Sequence, residues 1–250
     1  MKKLRRITEA EVIAEFLKNE FYEDDFDHDR ERFERVVMDA DVTNEGANAI
    51  RRALLFRRRG HMLRELPADT QWWEMQLEPG DLRRVRVFPR AQWRRLADGS
   101  FSINDIVKRI RSHGIGPQDE AFAAKIRTLS AQLRDDQAVG STVMLIGIDE
   151  AQPFTILEGN HRLTAALLVS DELARSRFRV VCGLSPRMTE SCWYDTNLPN
   201  LWRYAKNRFR NLVDREADVE RVLGGIDFNP AAKSPAPAAL AQRQITPESK

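Results

Sequence analysis

The sequence is poor in cysteine and has no long apolar run. Its two cysteines, Cys182 and Cys192, lie ten positions apart, without a CxxC unit or a histidine at the spacing of a zinc site. We therefore expect two reduced thiols and no metal centre. No stretch reaches the roughly 18 apolar residues of a membrane-spanning helix, and the basic start MKKLRR leads into an amphipathic, acidic segment rather than an apolar signal core. These absences predict a cytoplasmic protein with no membrane partner.

The sequence also lacks a large excess of either charge, because it contains 40 basic and 38 acidic residues. A formal net charge of +2 does not draw the whole molecule to nucleic acid or to a membrane, so any basic surface must be local. With 250 residues, 42% of them hydrophobic, the chain is long enough to bury a core of its own.

The periodicity of apolar residues predicts an α+β fold. The N-terminal third has helical patterns, the first of which starts at a capping box, Thr8 to Glu11, and continues to about residue 20. Strand-like and helical segments alternate further on, and the apolar runs STVMLIGID and PFTILEG are typical of a hairpin. A final helix starts near Pro199. The predicted parts are a helical N-terminal region (1–69), an α+β domain (70–228) and a disordered, Pro- and Ala-rich tail (229–250).

The segment FTILEGNHRLTAALLVSDELA, residues 154–174, places a polar triplet between two apolar runs. In an extended strand the side chains alternate, so Glu158 ends the face that Phe154 begins. Gly159 permits a positive φ or a close backbone approach, and Asn160 is suited to cap the helix that follows. The pattern therefore predicts a strand, a tight turn and a helix N-terminus.

This turn is a candidate anion site. The free N–H groups and the positive dipole end of the helix attract an anion, and His161 and Arg162 add donors in the first turn. Arg162 can hold a phosphate or a carboxylate with two parallel hydrogen bonds. In the opposing interpretation Asn160 only caps the helix, Arg162 pairs with Glu158, and His161 is an exposed surface residue. The residue types alone leave both open.

The stretch ILEGNHRLTAALL, after an apolar hairpin and before the strand FRVVCGL, resembles the ParB/sulfiredoxin superfamily. The likeness covers roughly residues 80–185, and its specificity lies in Gly159, Asn160, His161 and Arg162. The resemblance implies a small mixed sheet with flanking helices, in which the Gly-x-x-Arg turn grips nucleotide phosphates. The implied activities range over nucleotide-switched DNA clamps, sulfinic acid reductases, free-amino-acid kinases and proposed nucleases.

Departures from the family pattern narrow these activities. Asn160 stands where sulfiredoxins have a cysteine, so the reductase chemistry has no nucleophile. No helix-turn-helix or further phosphate motif is recognisable between Ser185 and the tail, which argues against a DNA clamp. Kinase-like members use a carboxylate beside the turn as a base. Glu158 suits that role, or the binding of magnesium through water, or an ion pair with Arg162.

A second unusual segment, WYDTNLPNLWRYAKNRFRNLV, interleaves aromatic and basic residues. Its helical spacing predicts an apolar stripe of Leu201, Ala205, Phe209 and Leu212. Its basic residues on another face are Arg203, Lys206 and Arg210. The segment is typical either of a helix that docks its apolar stripe and exposes a solvated basic face, or of a surface for single-stranded nucleic acid. The basic face could also border the turn and neutralise a triphosphate.

The sequence thus predicts a protein that binds a nucleotide or another phosphorylated ligand through Gly159, Asn160, His161 and Arg162. Mg²⁺ with a nucleoside di- or triphosphate is the expected cofactor, and phosphoryl transfer or hydrolysis is the expected reaction class if the protein is an enzyme. Glu158 and His161 are then the catalytic candidates. The alternative is a nucleic-acid-binding protein or nuclease that uses the basic aromatic helix 199–212.

Overall fold

One mixed sheet organises the computed structural model, which describes residues 1–89, 91–97, 99–112, 115–135, 141–212, 214 and 217–225. The strands are β1 (Lys2–Arg6), β2 (Gln71–Gln76), β3 (Val85–Arg86), β4 (Thr142–Gly147), β5 (Phe154–Glu158) and β6 (Arg179–Leu184). The helices are α1 (Glu9–Glu20), α2 (Asp27–Met38), α3 (Glu45–Leu63), α4 (Ala91–Ala97), α5 (Ile103–Arg111), α6 (Glu120–Arg134), α7 (Asn160–Val169), α8 (Asp171–Ser176), α9 (Leu198–Leu212) and α10 (Val219–Gly224). The α+β prediction is confirmed.

The strands run in the order β1-β2-β6-β4-β5-β3. Neighbours are antiparallel at β1/β2, β2/β6 and β4/β5, and parallel at β6/β4 and β5/β3. The predicted hairpin is therefore present as β4 and β5. The basic start of the chain was not predicted as a strand. It forms the edge strand β1, whose side chains are all exposed, so no apolar alternation marks it in the sequence.

Helices cover both faces of the sheet, and each face has its own core. Residues of α4 to α8 pack on one face, and residues of α1, α2, α3 and α10 pack on the other. The predicted alternation along β5 is confirmed, because Phe154 and Ile156 belong to the first core and Leu157 to the second. The predicted capping box of α1 is also present, with Thr8 and Glu11 each bonded to the other's backbone N–H.

Helix α9 begins near the predicted residue, but the face that it turns toward the protein is the polar one and not the apolar one. We expected its apolar stripe to dock on the protein, yet Leu201 and Phe209 are exposed. The buried residues are Asn200 and Asn207. Asn207 Nδ2 donates to Glu65 Oε1 at 2.7 Å, so a polar partner on the protein decides which face turns inward. The predicted docking of the stripe is therefore wrong.

Three other sequence predictions concern the rest of the chain. Cys182 and Cys192 are buried thiols that are not joined in a disulfide, as expected. None of the helices in the described ranges combines the length and the hydropathy that crossing a membrane requires. The tail prediction for residues 229–250 lies outside the described residues.

Candidate functional site

The turn after β5 has the predicted geometry. Strand β5 ends at Glu158, Gly159 adopts φ +96° and ψ 16°, and α7 begins at Asn160. A Cβ on Gly159 would lie 3.1 Å from Val143 Cγ2 in addition to requiring this left-handed backbone. Glycine is needed here both for the conformation and for the close approach to β4.

Arg162 donates to three partners, which lie on β5, β4 and α1. Its Nη2 donates to Glu158 Oε2 at 2.5 Å and to the Thr142 carbonyl at 3.3 Å, and its Nη1 donates to Asn19 Oδ1 at 3.0 Å. Both partners of the ion pair are largely buried, since the Arg162 side chain is 22% exposed and that of Glu158 14%. The pairing of Arg162 with Glu158, which the sequence offered as an alternative, is therefore present.

Helix α1 supplies a residue that sequence reasoning missed. Asn19 Nδ2 donates to Glu158 Oε2 at 2.7 Å and to the Thr142 carbonyl at 2.8 Å, while its Oδ1 accepts from Arg162. One amide side chain thus links the N-terminal helices to the strand and the turn. The sequence carries no signal for this contact, because Asn19 and Glu158 are 139 positions apart.

Burial changes the acid–base behaviour of Glu158. Loss of solvent raises the pKa of this carboxyl from 4.5 to about 7, and the charge of Glu20 adds to the rise. Arg162 and the hydrogen bond from Asn19 lower the pKa, but they do not outweigh burial. Glu158 therefore gains and loses its proton near neutral pH, where a general acid or base is most effective.

Asn160 does not cap α7, so that prediction is wrong. Gly159 occupies the cap position, and Asn160 is the first helical residue. The Asn160 Oδ1 accepts from the Phe88 backbone N–H at 2.9 Å. This hydrogen bond attaches the segment after β3 to the turn. It joins two residues that are 72 positions apart in the sequence.

His161 is a half-buried residue held between two aromatic rings. Its ring centroid lies 5.2 Å from that of Trp93 and 5.1 Å from that of Phe122. Burial, reinforced by the charges of Lys125 and Arg162, lowers its pKa from 6.5 to about 4. The imidazole is therefore neutral at pH 7 and offers one donor and one acceptor. The alternative of an exposed surface histidine is wrong.

Three basic residues of α9 were predicted to form the alternative, nucleic-acid-binding face. Arg203 pairs with Glu190 at 3.1 Å, and Lys206 and Arg210 are exposed. The guanidinium of Arg203 is therefore committed to a neighbour.

A cleft of about 430 Å³ lies between α3, the loop after β3 and α9. Its wall includes Arg59, His61, Pro89, Trp193, Tyr204 and Arg208. Its relation to the turn is indirect: Pro89 follows Phe88, whose backbone N–H donates to Asn160, and Arg59 pairs at 2.7 Å with Glu20, whose charge acts on Glu158. The sequence signal for this cleft was the mixture of aromatic and basic residues before and within α9.

The chemical resources around the turn are thus one titratable carboxyl, one neutral imidazole, one paired guanidinium and a helix N-terminus. No group of three or more His, Cys, Asp or Glu residues gathers as a metal site anywhere in the described ranges. No protein-family model, no curated protein and no solved structure matches the chain. The ParB/sulfiredoxin resemblance therefore stays a prediction.

Proposed function

We propose that the protein binds a phosphorylated small molecule, in the first instance a nucleotide, at the turn from Gly159 to Arg162. A phosphate group replaces Glu158 as the partner of the Arg162 guanidinium. The observation that carries the proposal is the Arg162–Glu158 pair at the N-terminus of α7, where a cation already holds an oxyanion.

The contacts of Arg162 are those that a phosphate can take over. Its three partners, Glu158, Asn19 and the Thr142 carbonyl, all present oxygen acceptors to the guanidinium. Phosphate oxygens match this planar donor arrangement as well as a carboxylate does. The first N–H groups of α7 and its dipole favour the same negative charge.

Glu158 regulates the exchange through its proton. When the carboxyl is neutral, it holds Arg162 less strongly and does not repel the incoming phosphate. Because its pKa is about 7, the proton can be taken up near neutral pH at low cost. The protonated carboxyl can then act as the general acid of a phosphoryl transfer or hydrolysis by giving its proton to the leaving-group oxygen. The neutral imidazole of His161 orients the ligand by a hydrogen bond.

A magnesium ion held by the protein does not fit this arrangement. The carboxylate that adjoins the turn is committed to Arg162, and its raised pKa weakens it as a metal ligand. A Mg²⁺ ion that accompanies a nucleoside di- or triphosphate would be bound by the phosphates.

We place the rest of such a ligand in the cleft that includes Pro89, the residue after the Phe88 that Asn160 holds. Its volume of about 430 Å³ falls within the range of small-molecule sites. Trp193 and Tyr204 offer aromatic surface for a base, and Arg208 adds a positive charge.

Isothermal titration of ATP, CTP, GTP and ADP tests the proposal with the wild type, Arg162→Ala and Arg187→Ala. Arg187 is the matched control, because it also holds a glutamate, Glu190, at 2.9 Å but lies at another place. We expect the wild type and the control to bind one nucleotide equally, and Arg162→Ala to bind it at least roughly tenfold more weakly, since hydrogen bonds to a charged group contribute about 1.5–3 kcal/mol.

Two results would contradict the proposal: no heat of binding at millimolar nucleotide for the wild type, or equal affinity of the wild type and Arg162→Ala. Thermal melting of each variant shows whether it is folded. Arg162→Lys serves as a second variant, because it keeps the charge but loses the bidentate geometry and should bind with intermediate affinity. The nucleic-acid alternative rests on the separate surface of α9 and needs its own measurement.

A further inference from the structure

Helix α9 presents an apolar stripe to solvent. Leu198 is 82% exposed, Trp202 77% and Phe209 68%, and the small residue Ala205 lies exposed between them. At 100° per residue these positions fall on one side of the helix. Of the five tryptophans in the sequence, Trp202 is the exposed one. Side chains of this size rarely form a contiguous exposed row unless they contact something.

The opposite side of α9 is fixed to the protein by polar contacts. Asn207 Nδ2 donates to Glu65 Oε1 at 2.7 Å, and Asn200 Nδ2 donates to the carbonyls of Thr189 and Asp195 at 2.8 and 2.7 Å. Gly60 allows the close approach to α3, because a Cβ there would lie 2.2 Å from Asn211 Oδ1. The helix cannot roll over to bury its stripe without breaking these contacts, so the exposure is a fixed property of the fold.

Cations flank the stripe. Lys206 and Arg210 are exposed along one side of it, together with Arg203, and Arg208 lies on the other side. Helix α9 contains no acidic residue. The helix is therefore locally positive, whereas the basic and acidic residues of the whole chain nearly balance, with a net charge of +2.

We propose that α9 is an interfacial helix that lies on an anionic lipid surface. The stripe enters the boundary between head groups and acyl chains, while Lys206, Arg208 and Arg210 contact the lipid phosphates. Such helices combine Trp, Phe and Leu on one face with Lys and Arg around it, at a low mean hydropathy. They bind the surface without crossing the bilayer.

Other occupants fit the stripe less well. Two copies paired through α9 around a two-fold axis would bring cations of both copies together, because exposed cations lie on both sides of the stripe, and this is repulsive. Bases of single-stranded nucleic acid would stack on Trp202 and Phe209 but gain little from Leu198. A single convex helix matches a deformable lipid layer, whose anionic head groups also complement its charge.

Co-sedimentation with vesicles tests the inference directly. One set contains phosphatidylcholine alone, and the other contains equal parts of phosphatidylcholine and phosphatidylglycerol. We expect the full chain to bind the anionic vesicles, with a blue shift of tryptophan emission as Trp202 leaves water. The double variant Trp202→Ser, Phe209→Ser should bind roughly a hundredfold or more weakly, because neither ring is then available for burial in the lipid. Lys206→Gln with Arg210→Gln should also bind more weakly and lose most of the salt dependence.

Leu4→Ser is the matched control, since Leu4 is an exposed apolar residue on β1. It should bind vesicles like the wild type, and so should Arg162→Ala, which separates this surface from the proposed function of the turn. No binding to anionic vesicles, or equal binding by the Trp202 and Phe209 double variant, would overturn the inference. So would a dimer in light scattering that the double variant abolishes, or a complex with single-stranded oligonucleotide in the absence of vesicle binding.

Discussion

The guanidinium of Arg162 donates to the carboxylate of Glu158 across 2.5 Å, and the two residues belong to different elements, the start of α7 and the end of β5. The ion pair therefore spans the turn that joins them. Because both side chains are mostly buried, its strength depends on pH and on the third partner, Asn19, rather than on solvent screening.

Glu158→Gln should make the protein more stable than the wild type at pH 8 but not at pH 4.5. Below about pH 4.5 the wild-type carboxyl carries its proton in the folded and the unfolded state. As the pH rises towards 7, the unfolded state loses this proton first, so the free energy of unfolding falls. A rise of the pKa from 4.5 in the unfolded state to about 7 in the folded state lowers the free energy of unfolding at high pH by at most about 3 kcal/mol. Chemical denaturation of both proteins across this pH range measures the difference.

Glu190→Gln is the control for that series, because the pKa of Glu190 is lowered in the folded protein, whereas that of Glu158 is raised. The partner Arg187 lowers the pKa of Glu190, so its contribution is present above the unfolded pKa and is lost as the pH falls. If Glu158→Gln were less stable than the wild type at pH 8, the ion pair would outweigh burial, and our account of Glu158 would be wrong.

Gly159→Ala should destabilise the protein by about 1–3 kcal/mol. The substitution strains the backbone at φ +96° and also moves a Cβ to 3.1 Å from Val143. Gly80→Ala separates the two effects, since Gly80 has φ +92° but no neighbour within 4 Å of the added atom. Urea denaturation should give the larger loss for Gly159→Ala, and equal losses would show that the contact with β4 is unimportant.

The burial of Asn207 and the exposure of Phe209 on α9 predict effects of different size for substitutions at these two positions. Asn207→Leu removes the hydrogen bond to the buried carboxylate of Glu65 and should cost about 1–3 kcal/mol. Phe209→Ser changes an exposed side chain and should alter the free energy of unfolding by at most about 0.5 kcal/mol. The reverse order in thermal melting would mean that the apolar stripe faces the protein after all.

His161 should remain neutral throughout the physiological range. Its pKa of about 4 means that its ring resonances in a two-dimensional NMR spectrum do not move between pH 8 and pH 6, whereas an unperturbed histidine shifts in that interval. Because the folded state binds this proton less readily than the unfolded state, stability should fall as the pH drops from about 6.5 towards 4. A ring that titrates near pH 6.5 would place His161 in solvent.

The parts of the site that the sequence predicted are those that depend on neighbours along the chain. The alternation before Gly159, the glycine itself and the apolar spacing after it produce the strand, the turn and the helix without distant partners. The pairing of Glu158 with Arg162 was accessible for the same reason, because four positions separate the two residues.

The predictions that failed depend on residues far away in the sequence. Asn160 was expected to cap its own helix, and it instead binds Phe88, 72 positions earlier. Helix α9 was expected to bury its apolar stripe, and the partner that turns its asparagines inward, Glu65, is 142 positions away. Local patterns show which faces a helix has, but not which face meets the rest of the protein.

The most direct test of the central claim is the number of protons taken up when a nucleotide binds. Titrations at pH 8 in buffers of different ionisation enthalpy give this number for the wild type and for Glu158→Gln. If the phosphate displaces Glu158 from Arg162, the wild type takes up close to one proton more than the variant, because the released carboxyl becomes neutral beside an anion. Equal proton uptake by the two proteins would contradict the exchange of partners at Arg162.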